Sequence, residues 1–258
     1  MILHNTESGN SEKAIVILHG LMGSSANWQG IQGILSTTHR VICLDLPNHG
    51  KSPHIARFDL RSLAEDVSET MDALGAPRAV VIGHSLGGKV AMQMAGGEGG
   101  RVRGLIAVDI SPRAFPPVHL FALRACQELK VGEVRRRKDL DAALAQFIPS
   151  QEMRDFLLMN VMRQKGGAFG WRVPLQYLID NYQTVSDAVQ MDAPYTGRAL
   201  FVGGGDSPFH IERDTALIRR LFLSMRIVTI PGAGHLVHTN RPDAFIREVR
   251  RFLEEGEL

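Results

Sequence analysis

The sequence predicts an α/β protein whose mostly parallel central sheet is flanked by helices and interrupted by an inserted all-helical segment. Short apolar runs alternate with amphipathic segments through the first half of the chain, which is typical of parallel strands joined by crossover helices. The alternation stops after residue 110 and resumes near residue 199. We therefore expect a core made of residues 1–111 and 196–258, with residues 112–195 inserted as a helical cap.

Six short apolar runs are the predicted strands of this sheet. Runs of this length, bounded by turn-forming residues, are typical of strands that are buried on both faces. The first four end in segments rich in Gly, Pro, His or Ser, where a turn is favoured. The runs cover residues 14–18, 41–46, 79–82, 105–110, 199–202 and 227–230.

Helix signals occupy the intervals between these strands. Asp59 is the predicted N-cap of an amphipathic helix that Gly75 ends, because a short polar side chain caps the first turn and glycine accepts the left-handed conformation after the last one. Three further helices of the core are predicted over residues 88–95, around 215–222, and over 242–253.

Composition and charge argue against several classes of protein. The chain has 258 residues and a net charge of +2, so no basic surface points to nucleic acid or to an anionic membrane. We expect no signal peptide, and no apolar run approaches the roughly 18 residues of a membrane-spanning helix. The two cysteines, Cys43 and Cys126, show no metal-binding or disulfide spacing. A cytoplasmic location is the expectation.

The segment from Gly83 to Gly87 contains the predicted nucleophile, Ser85. It reads Gly-His-Ser-Leu-Gly and lies between an apolar strand and a helix rich in small residues. This context is that of a nucleophile elbow, a strained turn that exposes the serine hydroxyl above the sheet. The alternative is a glycine-rich turn with an incidental serine. The flanking strand and helix favour the elbow.

His235 is the predicted general base for Ser85. A serine hydroxyl is a weak nucleophile until a base removes its proton. His235 follows Gly232-Ala233-Gly234, after the last predicted strand and before the last helix, where a loop at the sheet edge can carry the imidazole over the elbow. His238 is the competing candidate, and it lies further towards the final helix.

Backbone amides after two strands are the predicted oxyanion hole. They belong to Leu21, in the loop after the first apolar strand, and to Leu86, directly after the predicted nucleophile. The side chains of His19 and His84 are expected to brace and pack these turns. Asn27 and Trp28 are candidates for lining an acyl pocket; the alternative for Trp28 is that its side chain is simply packed.

Several segments together resemble the α/β-hydrolase superfamily. They are HGLMGSSANW at 19–28, LDLPNHGKS at 44–52, GHSLGGKVAM at 83–92, AVDISP at 107–112 and PGAGHLVH at 231–238. Within the superfamily, the combination most closely resembles small cytosolic bacterial esterases. The resemblance is weakest across the inserted segment. It implies that Asp45 belongs to a structural turn.

The acid of the implied catalytic triad has two candidates. Many members of the superfamily place an Asp directly before a Pro after the strand that follows the cap, but this sequence has Ser207 there, with Asp206 one residue earlier. Other members take the acid from the end of the strand after the nucleophile helix, which is Asp109 here. We prefer Asp109 and keep Asp206 as the alternative.

The resemblance implies a serine esterase that forms an acyl-enzyme on Ser85 and needs no metal or organic cofactor. The implied substrate is a small-molecule carboxylic ester of short to medium chain, or an acyl thioester. No nucleic-acid or membrane partner is expected, and the sequence leaves the oligomeric state open. Three other activities could use the same residues: carbon–carbon bond hydrolysis, cofactor-free perhydrolysis, and ligand reception with slow turnover.

Overall fold

Nine strands are present in the part of the chain that the computed structural model describes, residues 1–97, 100–117 and 119–256. They are β1 (Asn5–Ser8), β2 (Ala14–Leu18), β3 (Arg40–Leu44), β4 (Ala79–His84), β5 (Val102–Val108), β6 (Val161–Arg163), β7 (Phe169–Trp171), β8 (Tyr195–Gly204) and β9 (Phe222–Ile230). Seven of them form one sheet in the order β1-β3-β2-β4-β5-β8-β9. Within this sheet only the β1–β3 pair is antiparallel.

The helices of the described residues lie between these strands and across the inserted segment. They are α1 (Gln29–Leu35), α2 (Leu60–Ala73), α3 (Leu86–Gly97), α4 (Leu120–Glu128), α5 (Arg137–Ala145), α6 (Gln151–Leu158), α7 (Leu175–Asp180), α8 (Tyr182–Ser186), α9 (Thr215–Leu221), α10 (Val237–Asn240) and α11 (Pro242–Glu254). Asp59 caps α2 as predicted, since its carboxylate accepts a hydrogen bond from the Ser62 amide. Over the described ranges, no helix combines the length and apolar character needed to cross a bilayer.

The main sheet is buried on both faces, as the continuous apolar strands predict. Along β2, Val16 and Leu18 pack into a cluster with residues of α2 and α3. The alternate residues Ile15 and Ile17 pack on the opposite face with residues of α1 and α11. Because side chains alternate between the faces of a strand, a run without polar positions is needed where both faces are covered.

The carboxyl ends of the central strands bring two chemically important positions together. β4 and β5 are parallel and pair His84 with Val108 at their ends, so Ser85 and Asp109 leave the sheet side by side. β5 in turn pairs Val108 with Val202 of β8. Ligands of open α/β sheets bind at this edge.

The inserted segment is not wholly helical, and that part of the prediction was wrong. It contains α4 to α8, but β6 and β7 form a separate two-stranded antiparallel sheet between α6 and α7. Strands of three residues are too short to show a periodic pattern. Among the described residues of 112–194 none belongs to the main sheet, and β8 begins at Tyr195, the last residue of the predicted cap. The division into core and cap remains a prediction.

Two side chains of α3 hold the end of the inserted segment. The buried Lys89 ammonium donates hydrogen bonds to the carbonyls of Ser186, at 2.9 Å, and Asp187. One helical turn later, the Gln93 amide exchanges hydrogen bonds with the backbone of Gln190, at 2.6 and 3.2 Å. Burial lowers the pKa of Lys89 to about 8. The helix α3, which begins next to Ser85, therefore binds the end of the inserted segment, where the chain returns to the main sheet.

Hydrogen exchange should show weaker protection across residues 119–194 than in the main sheet. The amides of β2, β4 and β5 are enclosed by two layers of helices, whereas the inserted segment is built from short helices and a two-stranded sheet. Such elements open locally at lower free energy than a central sheet. Mass spectrometry of exchanged peptides measures the difference. Protection equal to that of β4 throughout this segment would contradict the expectation of a separately mobile cap.

Candidate active site

Ser85 lies on a strained turn between β4 and α3. Its φ is 51°, a left-handed value that residues other than glycine rarely adopt, and its amide donates to the Val108 carbonyl at 3.1 Å. Both flanking positions require glycine, because backbone atoms of neighbouring residues lie too close to leave room for a Cβ atom. A Cβ on Gly83 would lie 2.2 Å from the Gly87 carbonyl oxygen, and one on Gly87 would lie 2.4 Å from the Leu18 carbonyl oxygen. The local geometry is that of the predicted elbow.

Asp109 occupies the matching position at the end of β5. Its φ is also 51°, and its side chain is completely buried. Oδ1 accepts a hydrogen bond from the Gly204 amide at 2.9 Å. Oδ2 accepts a short hydrogen bond from the Ser207 hydroxyl. Both donors come from the end of β8 and the turn after it, so this part of the chain solvates the carboxylate in place of water.

His235 lies within hydrogen-bond distance of Asp109. Its Nδ1 is 2.7 Å from Asp109 Oδ2, and its ring stacks on Phe209 with 4.3 Å between ring centroids. The backbone carbonyl of His235 accepts a hydrogen bond from His84 Nε2 at 2.9 Å. Ser85 and His235 line the same cavity. The structure thus brings together three of the residues singled out from the sequence.

Asp206, the alternative acid, points away from this group. Its side chain is exposed, and its backbone amide donates to the Ala233 carbonyl at 2.9 Å. The next residue, Ser207, is buried and reaches Asp109 instead. The shift by one residue therefore reverses the side-chain direction, as it does on extended backbone. The carboxylate beside the His235 ring belongs to Asp109.

A mainly apolar cavity of about 120 Å³ opens above Ser85. One side consists of the loop after β2 and the loop that carries His235; the other side consists of α4 and α6 of the inserted segment. Its apolar lining residues are Leu21, Met22, Ala122, Leu123, Met153, Phe156, Leu157 and Leu236. Such a lining favours apolar ligands, because burial of apolar groups drives their binding.

His119 is a site residue that the sequence did not reveal. It lines the cavity beside Ser85. Its ring centroid lies 6.1 Å from that of His235. Burial, together with the nearby His235, lowers the pKa of His119 to about 4, so the ring is neutral at pH 7. It precedes α4 in a segment without a motif, and no sequence signal would have found it.

Leu21 and Leu86 carry the two backbone amides that are predicted to form the oxyanion hole. Leu21 lines the cavity with Ser85, and Leu86 is the first residue of α3. The amides at a helix N-terminus are free to bind an anion. The carbonyl of Met22 accepts a hydrogen bond from the Asn160 side chain at 2.7 Å, so the inserted segment helps to hold this loop.

Asn27 and Trp28 line a neighbouring cavity of about 190 Å³ rather than the one that contains Ser85. The indole of Trp28 is buried and stacks on His238, with 4.0 Å between ring centroids. His238, the competing base in the sequence, is also buried. Burial, and to a smaller extent the nearby His235, lowers the pKa of His238 to about 3. The ring therefore stays neutral at ordinary pH.

Asp45 and His49 belong to a buried turn, in agreement with the structural role expected for Asp45. The Asp45 carboxylate accepts hydrogen bonds from the amides of Ser25, at 2.6 Å, and Lys51, at 2.9 Å. His19 Nε2 accepts from the Leu46 amide at 3.0 Å and braces the same turn. Burial lowers the pKa of His49 to about 3.

The described residues show neither a cluster of metal ligands nor a reactive thiol. Across the described ranges, no group of three or more His, Cys, Asp or Glu side chains is placed to hold a metal ion. Cys43 and Cys126 are free and buried. Burial raises the pKa of each thiol to about 12. Neither thiol is ionised at neutral pH, so neither is a nucleophile or a metal ligand as it stands.

This combination of sheet, elbow and histidine loop defines the alpha/beta hydrolase family, and the chain belongs to it: the family's sequence model matches residues 15–248. The sn-1-specific diacylglycerol lipase ABHD11 of Mus musculus is 36% identical over 93% of this chain and 80% of its own length. Esterase YbfF of Escherichia coli is 30% identical over 96% of both chains. A solved marine microorganism esterase superposes with a TM-score of 0.94 at 32% identity, covering 97% of this chain and 99% of its own.

These relatives confirm the family resemblance and the α/β-hydrolase fold predicted from the sequence. They are named as esterases and as a lipase, which confirms the predicted enzyme class, a carboxylic ester hydrolase.

Buried neutral histidines should make the protein less stable as the pH falls below about 6.5. His49 keeps a pKa of about 3 in the folded protein, whereas in the unfolded chain its pKa is about 6.5. Between these values only the unfolded chain takes up the proton, so the free energy of unfolding falls by about 1.4 kcal/mol per pH unit for this group. Above pH 6.5 the effect is absent.

Urea unfolding of the wild type and of His49→Gln at about pH 7.5, 6 and 5 measures this contribution. The glutamine variant should lose less stability between pH 7.5 and 5 than the wild type, whatever its stability at neutral pH. Parallel pH profiles for the two proteins would show that His49 does not resist protonation.

Proposed function

We propose that this chain is a serine esterase in which Ser85, His235 and Asp109 form a catalytic triad. The observation that carries the proposal is the 2.7 Å distance between His235 Nδ1 and the buried carboxylate of Asp109, beside a serine on a strained elbow in the same cavity. In this arrangement His235 takes the proton of Ser85 while the serine oxygen attacks the ester carbonyl carbon.

Asp109 acts on His235 by holding one tautomer and one orientation of the ring. With Nδ1 donating to Asp109, Nε2 is the nitrogen left to accept the serine proton. The carboxylate then stabilises the imidazolium that forms. The Gly204 amide and the Ser207 hydroxyl donate hydrogen bonds to this buried carboxylate and replace the water it has lost.

The tetrahedral oxyanion is held by the amides of Leu21 and Leu86 in this proposal. Donors fixed before the reaction stabilise developing charge more strongly than water does. His235 returns its proton to the departing alcohol, and the acyl group remains on Ser85 as an ester. A water molecule, deprotonated by His235, then attacks the carbonyl carbon of the acyl-enzyme. The acid is released as His235 returns that proton to the Ser85 oxygen.

The apolar cavity suits esters with short to medium acyl chains, which enter beneath α4 and α6. The diacylglycerol lipase named among the relatives acts on a glycerol ester, and glycerol esters fall within the proposed class. Cytoplasmic location stays a prediction from the sequence.

A fluorophosphonate probe should label the wild type at one site and should not label Ser85→Ala. The probe reacts only with an activated serine, and the elbow is the feature that exposes one. Intact-protein mass spectrometry measures the added mass. Ser25→Ala, which removes a buried hydroxyl outside the cavity lining, is the matched control and should label fully. Labelling of Ser85→Ala would remove the proposed nucleophile.

His235→Ala should lose most of its turnover of a chromogenic ester, on the order of a thousandfold or more, because a triad acts as a unit. His238→Gln should keep turnover within about tenfold, since a neutral ring stacked on Trp28 is not the base. Steady-state kinetics with 4-nitrophenyl butyrate give both values. Comparable losses in the two variants would leave the base unassigned between these histidines.

Asp109→Asn should lower turnover on the order of ten-thousandfold, because the amide stabilises the wrong imidazole tautomer. Asp206→Asn should change turnover less than about threefold, because its side chain is exposed and separate from the His235 ring. Circular dichroism establishes that both variants are folded. The opposite ranking in folded proteins would transfer the acid role to Asp206.

A further inference from the structure

A small cavity of about 40 Å³ borders Ser85 beside the apolar cavity of about 120 Å³. Of the described residues, Leu21, Ser85 and His119 line both cavities. The other walls of the small cavity come from the start of α3, the segment after β5, the helix α8 and the turn after β8. A carbon atom bonded to the Ser85 oxygen therefore borders two separate spaces.

The position of His235 decides which half of an ester enters which cavity. In the proposed mechanism His235 gives its proton to the departing alcohol, so the alcohol oxygen lies beside that ring. His235 lines the apolar cavity and is absent from the lining of the small one. The carbonyl oxygen of the ester points towards the oxyanion hole. The acyl chain is the substituent that remains, and the small cavity is the space that remains for it.

The volume of the small cavity limits the length of that chain. A water-sized group needs about 10–15 Å³ of cavity volume. A cavity of about 40 Å³ therefore has room for about three such groups. Two or three carbon atoms beyond the carbonyl fill it, which corresponds to an acyl group no longer than butyryl. The apolar cavity, beneath α4 and α6, is the larger of the two and admits a longer apolar chain.

Hydrogen bonds to main-chain groups fix the walls of the small cavity. The Lys89 ammonium donates to the Ser186 carbonyl at 2.9 Å, and the Phe115 amide donates to the same carbonyl at 2.8 Å. The His119 amide donates to the Tyr182 hydroxyl at 3.0 Å. These bonds tie α8 to α3 and to the segment after β5. Because closely packed walls yield little, a longer acyl chain does not widen the cavity at low cost.

We propose that the small cavity is the acyl subsite and the apolar cavity the alcohol subsite, so that the enzyme prefers esters of a small acid with a larger apolar alcohol. Val185 is a specificity-determining residue in this arrangement. It lies on α8, it is buried, and it lines the small cavity but not the apolar one. The inference rests on the proposed serine esterase function and restricts its acyl range to the short end.

Hexyl acetate and ethyl hexanoate test the assignment of the two subsites. The two esters are isomers, so their mass and apolar content are matched and only the division between acid and alcohol differs. The kcat/KM of the wild type should be roughly tenfold or more higher for hexyl acetate, because each methylene beyond the room in an apolar pocket costs about tenfold. Titration of the released acid at constant pH measures both values. The ratio of the two hydroxide-catalysed rates is measured alongside and divided out.

Val185→Ala enlarges the small cavity and should raise the kcat/KM ratio of ethyl hexanoate to hexyl acetate by roughly tenfold. The control is Val189→Ala, the same change at a buried position of the same segment that lines neither cavity. It should leave the ratio within about twofold of the wild type. Val185→Ile fills the cavity instead, and should lower the kcat/KM of ethyl butyrate relative to that of ethyl acetate.

The outcomes separate this inference from the proposed function. If the wild type hydrolyses ethyl hexanoate as well as hexyl acetate, or better, the two subsites are wrongly assigned while the esterase stands. The same conclusion follows if Val185→Ala changes the ratio no more than Val189→Ala does. If folded protein hydrolyses neither these esters nor 4-nitrophenyl butyrate, the proposed function itself fails.

Discussion

A carboxylate withdrawn from water must be surrounded by hydrogen-bond donors, and at Asp109 this requirement joins three parts of the chain. Its side chain has no exposed surface. The Gly204 amide at the end of β8, the Ser207 hydroxyl in the next turn and the His235 ring after β9 all lie against it. Removing one donor would leave a buried charge poorly compensated. The relative positions of β5, β8 and the histidine loop therefore depend on this one group.

Buried strands could be predicted from the sequence because both of their faces are covered, which excludes polar positions. β2 coincides with an uninterrupted apolar run for this reason. β1 was not predicted, since its residues Asn5–Ser8 are polar and it lies at the edge of the sheet with β3 as its one partner. β9 begins at Phe222 rather than at residue 227, because much of the strand is only partly buried and lacks the apolar signature. In the main sheet, the solvent exposure of a strand limited its prediction more than the length of the strand did.

Site residues fixed by local backbone geometry could be predicted, and those fixed by tertiary contacts could not. Ser85 and His235 lie in short glycine-rich segments that are themselves part of the geometry. The choice between Asp109 and Asp206 depends on which of the two side chains points towards the His235 ring. Contacts between distant parts of the chain set that direction, so the sequence left the choice open. His119 comes from a segment whose only signal is helical periodicity. Its place beside Ser85 follows from how that segment folds over the sheet.

The way α3 holds the returning end of the inserted segment has a consequence for how such a protein diverges. Lys89 and Gln93 bind main-chain groups of Ser186, Asp187 and Gln190 rather than their side chains. Every amino acid supplies the same carbonyl and, proline apart, the same amide. Substitutions in the returning segment therefore leave its attachment intact. The side chains with which the inserted segment lines the cavity can therefore change, and with them the molecules that fit. The hydrogen bonds that attach the segment to α3 are kept.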